Sequence, residues 1–401
     1  MRRVYVSGYG TVFEPMRIFV VGVGGTGSLL AQLLVRQGHT VWCGDRDVER
    51  ARRFLGKKSE IEVRDVNARN IWSVIRGGRG CHLLINASPA IFNEILLRAA
   101  LHLRAHYLDL NSRLTRNPFK AEQLRYHKRF ISKNRIAVIN GGAAPGLTNL
   151  LVKRGTEILD TAEGAAVRLF ESTNSEGAVS TWSPDVAFDE AVSNPIYYRG
   201  KKFHKGKRFG DAERFRFPAP IGETTVYLAA QDEVATLPYY VSLNELDAKI
   251  GGNDIERLRR WYRQGKLSKS RGIVAKRFPK TVTPRGLARL LRNKILENAR
   301  FAAAVLLRGS KASQPLLVRW DVGFPSLVQI ARRGILSTPI SYATAHIAAL
   351  FVRHMPRDMA GVYPPEALPG EVRRAILADT RSRDIRISLK MIPLKKVEDE
   401  E

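Results

Sequence analysis

Cysteine is almost absent from this chain, and long apolar runs are absent altogether. Only Cys43 and Cys81 occur in 401 residues, which excludes a disulfide framework and a cysteine-rich zinc cluster and predicts a reducing, cytoplasmic setting. No apolar run approaches the roughly 18 residues of a membrane-spanning helix, and residues 1–15 lack the apolar core of a signal peptide. We therefore expect a globular, cytoplasmic protein without a membrane span or a metal site.

Acidic residues are also scarce relative to basic ones. The chain has 38 Asp and Glu against 66 Lys and Arg, a formal net charge of +28. Such an excess suits nucleic acid, an anionic membrane surface or anionic ligands. It is concentrated at residues 251–300, where a solvated basic helical surface is the commoner explanation. Binding to nucleic acid or to a membrane surface is therefore kept as an alternative, and nucleic acid is not the expected main partner.

A strand, a glycine turn and a helix at residues 16–45 form the clearest motif. Gly22, Gly24 and Gly27 have the G-x-G-x-x-G spacing, directly after an apolar strand and at the start of an apolar helix. The first glycine permits the tight turn, the second lets backbone approach a pyrophosphate, and the third brings helix and strand together. The positive end of the helix then faces the phosphates. Asp45 follows the next strand at about the spacing of an acid that binds the ribose hydroxyls.

Short apolar strands alternate with helices as far as residue 146. The pattern predicts strands at 18–21, 40–44, 61–64, 82–86, 107–110 and 136–139. It predicts helices at 26–37, 48–55, 71–75, 91–103 and 119–133. This alternation is typical of a Rossmann-type, doubly wound parallel sheet, an α/β fold in which right-handed crossovers place all strand ends on one side.

The carboxyl ends of these strands predict the lining of a dinucleotide site, because ligands of open α/β sheets bind there. The residues expected to contact the cofactor are Gly22, Gly24, Gly25, Thr26, Gly27, Asp45, Arg46, Asp65, Val66, Asn86, Ala87, Pro89, Gly142, Ala144, Pro145 and Gly146. Asp45 favours NAD, since it repels a 2′-phosphate, whereas Arg46 suits the 2′-phosphate of NADP. Both cofactors stay open, with a slight preference for NAD.

Beyond residue 146 the chain becomes more polar and more aromatic, which predicts a second, α+β domain with an antiparallel sheet. Strands are expected at 165–170, 214–217, 224–230 and 316–320, and basic helices at 253–263 and 284–307. A helix at 342–354 and a strand at 386–389 suggest a return to the first domain. The predicted units are an extension at 1–15, a Rossmann domain at 16–146, a substrate and dimerisation domain at 147–341, a C-terminal return at 342–395 and a mobile tail at 396–401.

Six stretches, in order along nearly the whole chain, resemble the saccharopine dehydrogenase-like family, in particular saccharopine reductase and lysine 6-dehydrogenase. They are residues 20–27, 84–89, 106–109, 144–149 (A-P-G-L-T-N), 233–238 (E-V-A-T-L-P) and 361–366. The resemblance implies a Rossmann domain with an inserted α+β substrate domain, a homodimer, and hydride transfer at a carbon that bears an amino group.

Asp109 is the candidate catalytic residue, since it ends a strand near the expected nicotinamide position. A carboxylate there would hold a substrate ammonium or assist proton transfer as an amine becomes an imine; a turn or capping role explains it equally well.

Candidate substrate residues are Trp182, Ser183, Asp185 and Asp189. Saccharopine reductases resemble this chain at the Trp-Ser pair but are expected to carry an arginine close behind it. This chain has Asp185 and Asp189 there instead. Carboxylates suit a substrate ammonium, as lysine 6-dehydrogenase would need. The same stretch also has the composition of a helix start, with a proline in the first turn.

Together these features predict an NAD(P)-dependent oxidoreductase acting on the C–N bond of an amino acid or amino-acid conjugate. The expected partners are a small amino-acid substrate and a second copy of the chain. Besides the basic-surface alternative, a catalytically silent nucleotide-binding sensor would retain the same glycine turn and fold.

Overall fold

The computed structural model describes residues 5–6, 12–56, 59–113, 117–173, 193–266 and 282–394. Within these ranges the strands are β1 (Tyr5–Val6), β2 (Val12–Phe13), β3 (Arg17–Val21), β4 (Thr40–Asp45), β5 (Val63–Asp65), β6 (Leu83–Asn86), β7 (His106–Asp109), β8 (Ile136–Val138), β9 (Thr161–Ser172), β10 (Ile196–Arg199), β11 (Lys202–Lys205), β12 (Glu213–Phe217), β13 (Gly222–Leu228), β14 (Glu245–Gly251), β15 (Arg300–Lys311), β16 (Gln314–Gly323), β17 (Gly361–Tyr363) and β18 (Arg386–Pro393).

The helices of the same ranges alternate with strands in the first half of the chain. They are α1 (Gly25–Arg36), α2 (Val48–Leu55), α3 (Ile71–Gly77), α4 (Asn93–Leu103), α5 (His127–Ile131), α6 (Leu147–Ile158), α7 (Asn253–Arg263), α8 (Pro284–Arg292), α9 (Leu327–Arg332), α10 (Pro339–Arg353) and α11 (Gly370–Thr380). None of these described helices is long and apolar enough to cross a bilayer.

The first sheet is parallel and doubly wound, as predicted. Its seven strands have the order β17-β8-β7-β6-β3-β4-β5, so the chain reverses direction across the sheet between β3 and β6. Strands β3 and β6 are almost completely buried because helices cover both faces. The sequence predicted six of the strands; β17 adds a seventh beside β8. The helix predicted at 119–133 is instead a 3-10 turn (Glu122–Tyr126) followed by the short α5.

The second sheet has nine strands and is mixed, whereas the sequence predicted an antiparallel one. Its main path is β11-β10-β14-β9-β15-β16-β18, and the β12–β13 hairpin joins at β14. Strands β9 and β14 pair in parallel, because the chain between them forms two hairpins and returns to the same end of the sheet. Helix α6 packs across this sheet, and a Cβ on Gly155 would lie 2.4 Å from Leu307 Cδ1.

The helix predicted over 284–307 is wrong in its second half. Helix α8 ends at Arg292, and the apolar run that begins at Phe301 forms the central strand β15. This strand lies between β9 and β16 and is buried on both faces. A continuous apolar run of this kind has no helical or alternating period, so its pattern does not separate a strand from a buried helix.

The C-terminal segment joins both sheets. Helix α10 packs against α1, and β17 extends the parallel sheet, but β18 pairs with β16 in the second sheet. The predicted return to the first domain therefore describes α10 and β17, whereas β18 belongs to the second sheet. The domain boundaries themselves stay predictions.

Two histidines, one buried and one partly buried, lie at the amino-terminal ends of the parallel strands. The Nδ1 atom of His39 accepts the Met16 N–H at 3.0 Å, and the Nδ1 atom of His106 accepts the Ile136 N–H at 3.2 Å. Burial, followed by the charge of Arg357, lowers the pKa of His39 to about 4. These rings are therefore neutral hydrogen-bond acceptors in the folded protein.

This arrangement predicts a loss of stability in acid. A histidine whose folded pKa lies below its unfolded value stabilises the fold above about pH 6.5, and that contribution is lost as pH falls towards 4. His39→Asn keeps an acceptor for the Met16 N–H but does not titrate. Between pH 7 and pH 5 the wild type should lose about 2 kcal/mol more of its unfolding free energy than this variant. Denaturant unfolding at both pH values measures the difference, with exposed His102→Asn as control; equal losses in all three proteins would contradict it.

Candidate functional site

The glycine turn after β3 is built so that two of its residues have no room for a side chain. Gly22 has a φ of +95°, and a Cβ there would lie 2.6 Å from the Ser88 backbone nitrogen. A Cβ on Gly27 would lie 1.9 Å from the Gly22 carbonyl oxygen. The turn, the first helix and the end of β6 are thus packed backbone to backbone.

Gly24 differs from these two glycines because the space around it is open. A Cβ built on Gly24 meets no atom within 4 Å, although the residue lies at the amino terminus of α1. The unpaired N–H groups of a first helical turn bind anions. The open space in front of them fits a pyrophosphate.

Helix α10 forms a wall of this space that the sequence analysis missed. The Thr26 hydroxyl donates to Ser341 Oγ at 3.3 Å, and a Cβ on Gly25 would lie 2.9 Å from the same oxygen. Ser341 belongs to the first turn of α10, whose N-cap is Thr338. The amino ends of two helices therefore meet beside Gly24. The Thr-Pro start of α10 was the available sequence signal.

Asp45 fastens the glycine turn to the end of β4. Its Oδ2 atom accepts the Val23 N–H at 2.8 Å and its Oδ1 atom accepts the Asp47 N–H at 3.0 Å. The carboxylate stays partly exposed, so further lone pairs are available to ribose hydroxyls. Arg46 beside it is exposed.

The residues that follow β5 and β6 divide into exposed and buried ones. Asp65 is exposed, whereas Val66 is 2% exposed and belongs to the core. Asn86 is buried, and its Oδ1 atom accepts the Ser88 N–H at 2.9 Å. Its amide therefore holds the turn in shape, and partly exposed Ala87 and Pro89 form its surface.

The turn before α6 is closed by its own backbone. The Gly142 N–H donates to the Pro145 carbonyl at 3.0 Å, and Gly146 has a φ of +129° with no space for a Cβ, which would lie 1.9 Å from the Gly142 oxygen. Ala144 is the partly exposed member of the predicted set, while Gly142, Pro145 and Gly146 are buried. The turn thus offers a compact backbone surface at the end of β8.

Asp109, the predicted catalytic residue, is completely buried. Its Oδ1 atom accepts the Asn140 N–H at 2.8 Å, and its Oδ2 atom accepts the Gln123 side-chain N–H at 3.1 Å. Burial raises the pKa of its carboxyl to about 7 despite these hydrogen bonds. In this position the carboxyl holds the loops around the site and is shielded from solvent, and its catalytic role stays a prediction.

Three further carboxyls are buried in the same region, and sequence reasoning assigned none of them individually. The charges of Asp109 and Glu233 act on Asp232, and that of Glu233 acts on Glu366. Asp232, Glu233 and Glu366 are 7%, 0% and 1% exposed. Burial raises the pKa of each, to about 7 for Glu366. Glu233 accepts the Thr148 hydroxyl at 2.7 Å and Glu366 accepts the Asn149 amide at 3.0 Å. The A-P-G-L-T-N, E-V-A-T-L-P and 361–366 stretches are thus in contact in the fold, and that convergence was the missed signal.

The predicted substrate residues Trp182, Ser183, Asp185 and Asp189 lie outside the described residues. Their position relative to the site stays a prediction.

Comparison with known proteins agrees with this geometry. Residues 18–138 match the family model of the saccharopine dehydrogenase NADP binding domain. A sequence comparison with curated proteins gave no match.

Among solved structures, the apo saccharopine dehydrogenase (L-Glu forming) from Saccharomyces cerevisiae superposes with a TM-score of 0.68 at 11% identity, over 94% of this chain and 100% of that one. The C. glutamicum DAP dehydrogenase in complex with DAP gives a TM-score of 0.46 at 12% identity, over 92% of this chain and 99% of that one. The latter likeness is weak. Residues 18–138 are therefore similar to the saccharopine dehydrogenase NADP binding domain, and the whole chain has the saccharopine dehydrogenase fold.

Proposed function

We propose that this protein is an NAD(P)-dependent oxidoreductase that acts on the C–N bond of an amino acid or amino-acid conjugate. The observation that carries the proposal is the open space at Gly24, in front of the first turn of α1 and within a domain of this family. A cytoplasmic location and a homodimer stay predictions.

The residues of this chain would divide the binding of the dinucleotide among them. The first turn of α1 binds the pyrophosphate through backbone N–H groups. Asp45 accepts hydrogen bonds from ribose hydroxyls, and Arg46 lies where it can contact the adenine end. The turn at residues 142–146 supports the nicotinamide end, next to the hydrogen bonds from Thr148 to Glu233 and from Asn149 to Thr236.

A bound nicotinamide cofactor would supply the acceptor for a hydride from the carbon that bears the amino group. The protein contributes orientation, exclusion of water and control of the proton on that amino group. Asp109 supports this arrangement as a positioning residue, because its carboxyl fixes Asn140 and Gln123 around the end of β7.

The substitution Gly24→Asp tests the cofactor site. The protein itself has room for this side chain, since a Cβ meets nothing within 4 Å, so the variant should fold normally. Its carboxylate would occupy the anion site and repel phosphate, and we expect NADH affinity to fall at least about 100-fold. Fluorescence titration measures the loss. The matched control is Gly323→Asp, at an exposed glycine of β16 whose nearest Cβ neighbour lies 3.9 Å away; wild-type affinity in the Gly24 variant would contradict the assignment.

Arg46→Ala distinguishes the two cofactors. If Arg46 pairs with a 2′-phosphate, its removal should weaken NADPH binding about tenfold and leave NADH binding within about twofold. The control is Arg98→Ala, at an exposed position of α4. Equal effects on both cofactors would show that Arg46 does not contact the 2′ position.

Turnover tests the reaction class. Purified protein with NAD or NADP should reduce the cofactor in the presence of one member of a panel of lysine, saccharopine and related diamino acids, followed by the absorbance of the reduced nicotinamide. Cofactor binding without turnover on any amine in this panel would contradict the oxidoreductase assignment and favour a nucleotide sensor.

A further inference from the structure

Asp232 lies at the junction of the two domains, beside the loop that follows β7 of the first sheet. Its Oδ2 atom accepts the Ser112 N–H at 2.8 Å, so a residue of the second domain is bonded to the loop that follows β7. Both residues keep 7% of their surface exposed. Unlike Asp109, the Asp232 side chain therefore still reaches the surface of this junction.

A hydrogen-bonded path connects Asp232 with Asp109. The Ser112 hydroxyl donates to Asn140 Oδ1 at 2.8 Å, and the Asn140 N–H donates to Asp109 Oδ1 at 2.8 Å. Asn140 is 0% exposed, and its Nδ2 atom has no hydrogen-bond partner among the described residues. A buried amide nitrogen without a partner is costly, and because it is a donor, it lacks a hydrogen-bond acceptor among the described residues.

The cluster also lacks a positive charge from any residue that the structure describes. Among the described residues, no Lys, Arg or His side chain stabilises the ionised form of Asp109, Asp232, Glu233 or Glu366. Neither do any three His, Cys, Asp or Glu side chains of the described part form a metal site. Four carboxyls without a counter-charge from the described part of the chain, at the carboxyl ends of the parallel strands where ligands of such sheets bind, favour an organic cation.

We propose that Asp232 binds the amino group of the substrate, with Ser112 holding the carboxyl group in place from the first domain. This assignment rests on the proposed function and names the residue that receives the ammonium at that site. It moves the direct contact with substrate from Asp109 to Asp232. Asp109 then acts behind it, through Asn140 and Ser112.

Binding of an ammonium by Asp232 should change the number of protons that the protein carries. Burial, followed by the charges of Glu233 and Asp109, raises the pKa of the Asp232 carboxyl well above its ordinary value, which favours the protonated form in the free protein. When an ammonium binds, the carboxyl O–H bond breaks, its proton goes to the buffer and an ammonium–carboxylate pair forms. Binding should therefore release about one proton for each ligand bound.

Calorimetric titration tests this without turnover. The NADH-saturated protein is titrated with L-lysine, saccharopine and diaminopimelate at pH 7, in phosphate and in Tris, whose different ionisation enthalpies give the number of protons released. The wild type should release about one proton per ligand bound. Release of no proton on binding would overturn the proposal, and this measurement needs no variant.

The variant Asp232→Asn tests whether Asp232 is the residue that binds the ammonium. We expect at least a tenfold loss of ligand affinity and no proton release, with NADH affinity and the unfolding temperature close to those of the wild type. The matched control is Asp358→Asn at an exposed position, which should behave as the wild type. Unchanged affinity and proton release in Asp232→Asn would overturn the assignment. Binding of NADH but of none of the three ammonium compounds to the wild type would also overturn it, whereas failure of NADH to bind would overturn the proposed function itself.

Discussion

The arrangement of the site depends on the hydrogen bonds that the Asn149 side chain makes. Its Oδ1 atom accepts the Gly146 N–H at 2.9 Å, and its Nδ2 atom donates to Thr236 Oγ1 at 3.2 Å and to Glu366 Oε2 at 3.0 Å. The residue is completely buried, where an unsatisfied amide would be costly. One side chain therefore ties the turn of the first domain to the second domain and to the C-terminal segment.

Around this contact the protein buries carboxyl groups although its net charge is +28. Glu233 and Glu366 lie beside the amino-terminal turn of α6, where the positive end of the helix partly offsets the cost of burying acids. The basic excess lies elsewhere, above all at residues 251–300. Perturbed acids gathered at the junction of two domains are typical of a functional site, which supports the proposed position of the site at this junction.

The nucleotide-binding half was predictable because its signals are local. The spacing of Gly22, Gly24 and Gly27, with Asp45 after the next strand, depends on backbone geometry within about thirty residues, and the parallel sheet follows from short apolar strands in alternation with helices. The buried state of Asp109 was not predictable, since its surroundings come from Gln123 and Asn140, which reach it only through the tertiary fold.

The structure of the second half of the chain was harder to predict from the sequence, for a related reason. The run from Phe301 has no period that separates a strand from a helix, and its pairing partners β9 and β16 decide its structure. The parallel pairing of β9 with β14 joins segments more than seventy residues apart. Asp232 and Ser341 become recognisable as site residues only once two domains and two helix termini are brought together.

Titration of the purified wild-type protein with NADH and with NADPH, followed by fluorescence, tests the central claim most directly. The account predicts saturable binding of at least one of them, with one site per chain. Absence of binding to both, in a protein shown to be folded, would contradict the claim that the open turn at Gly24 is a dinucleotide site.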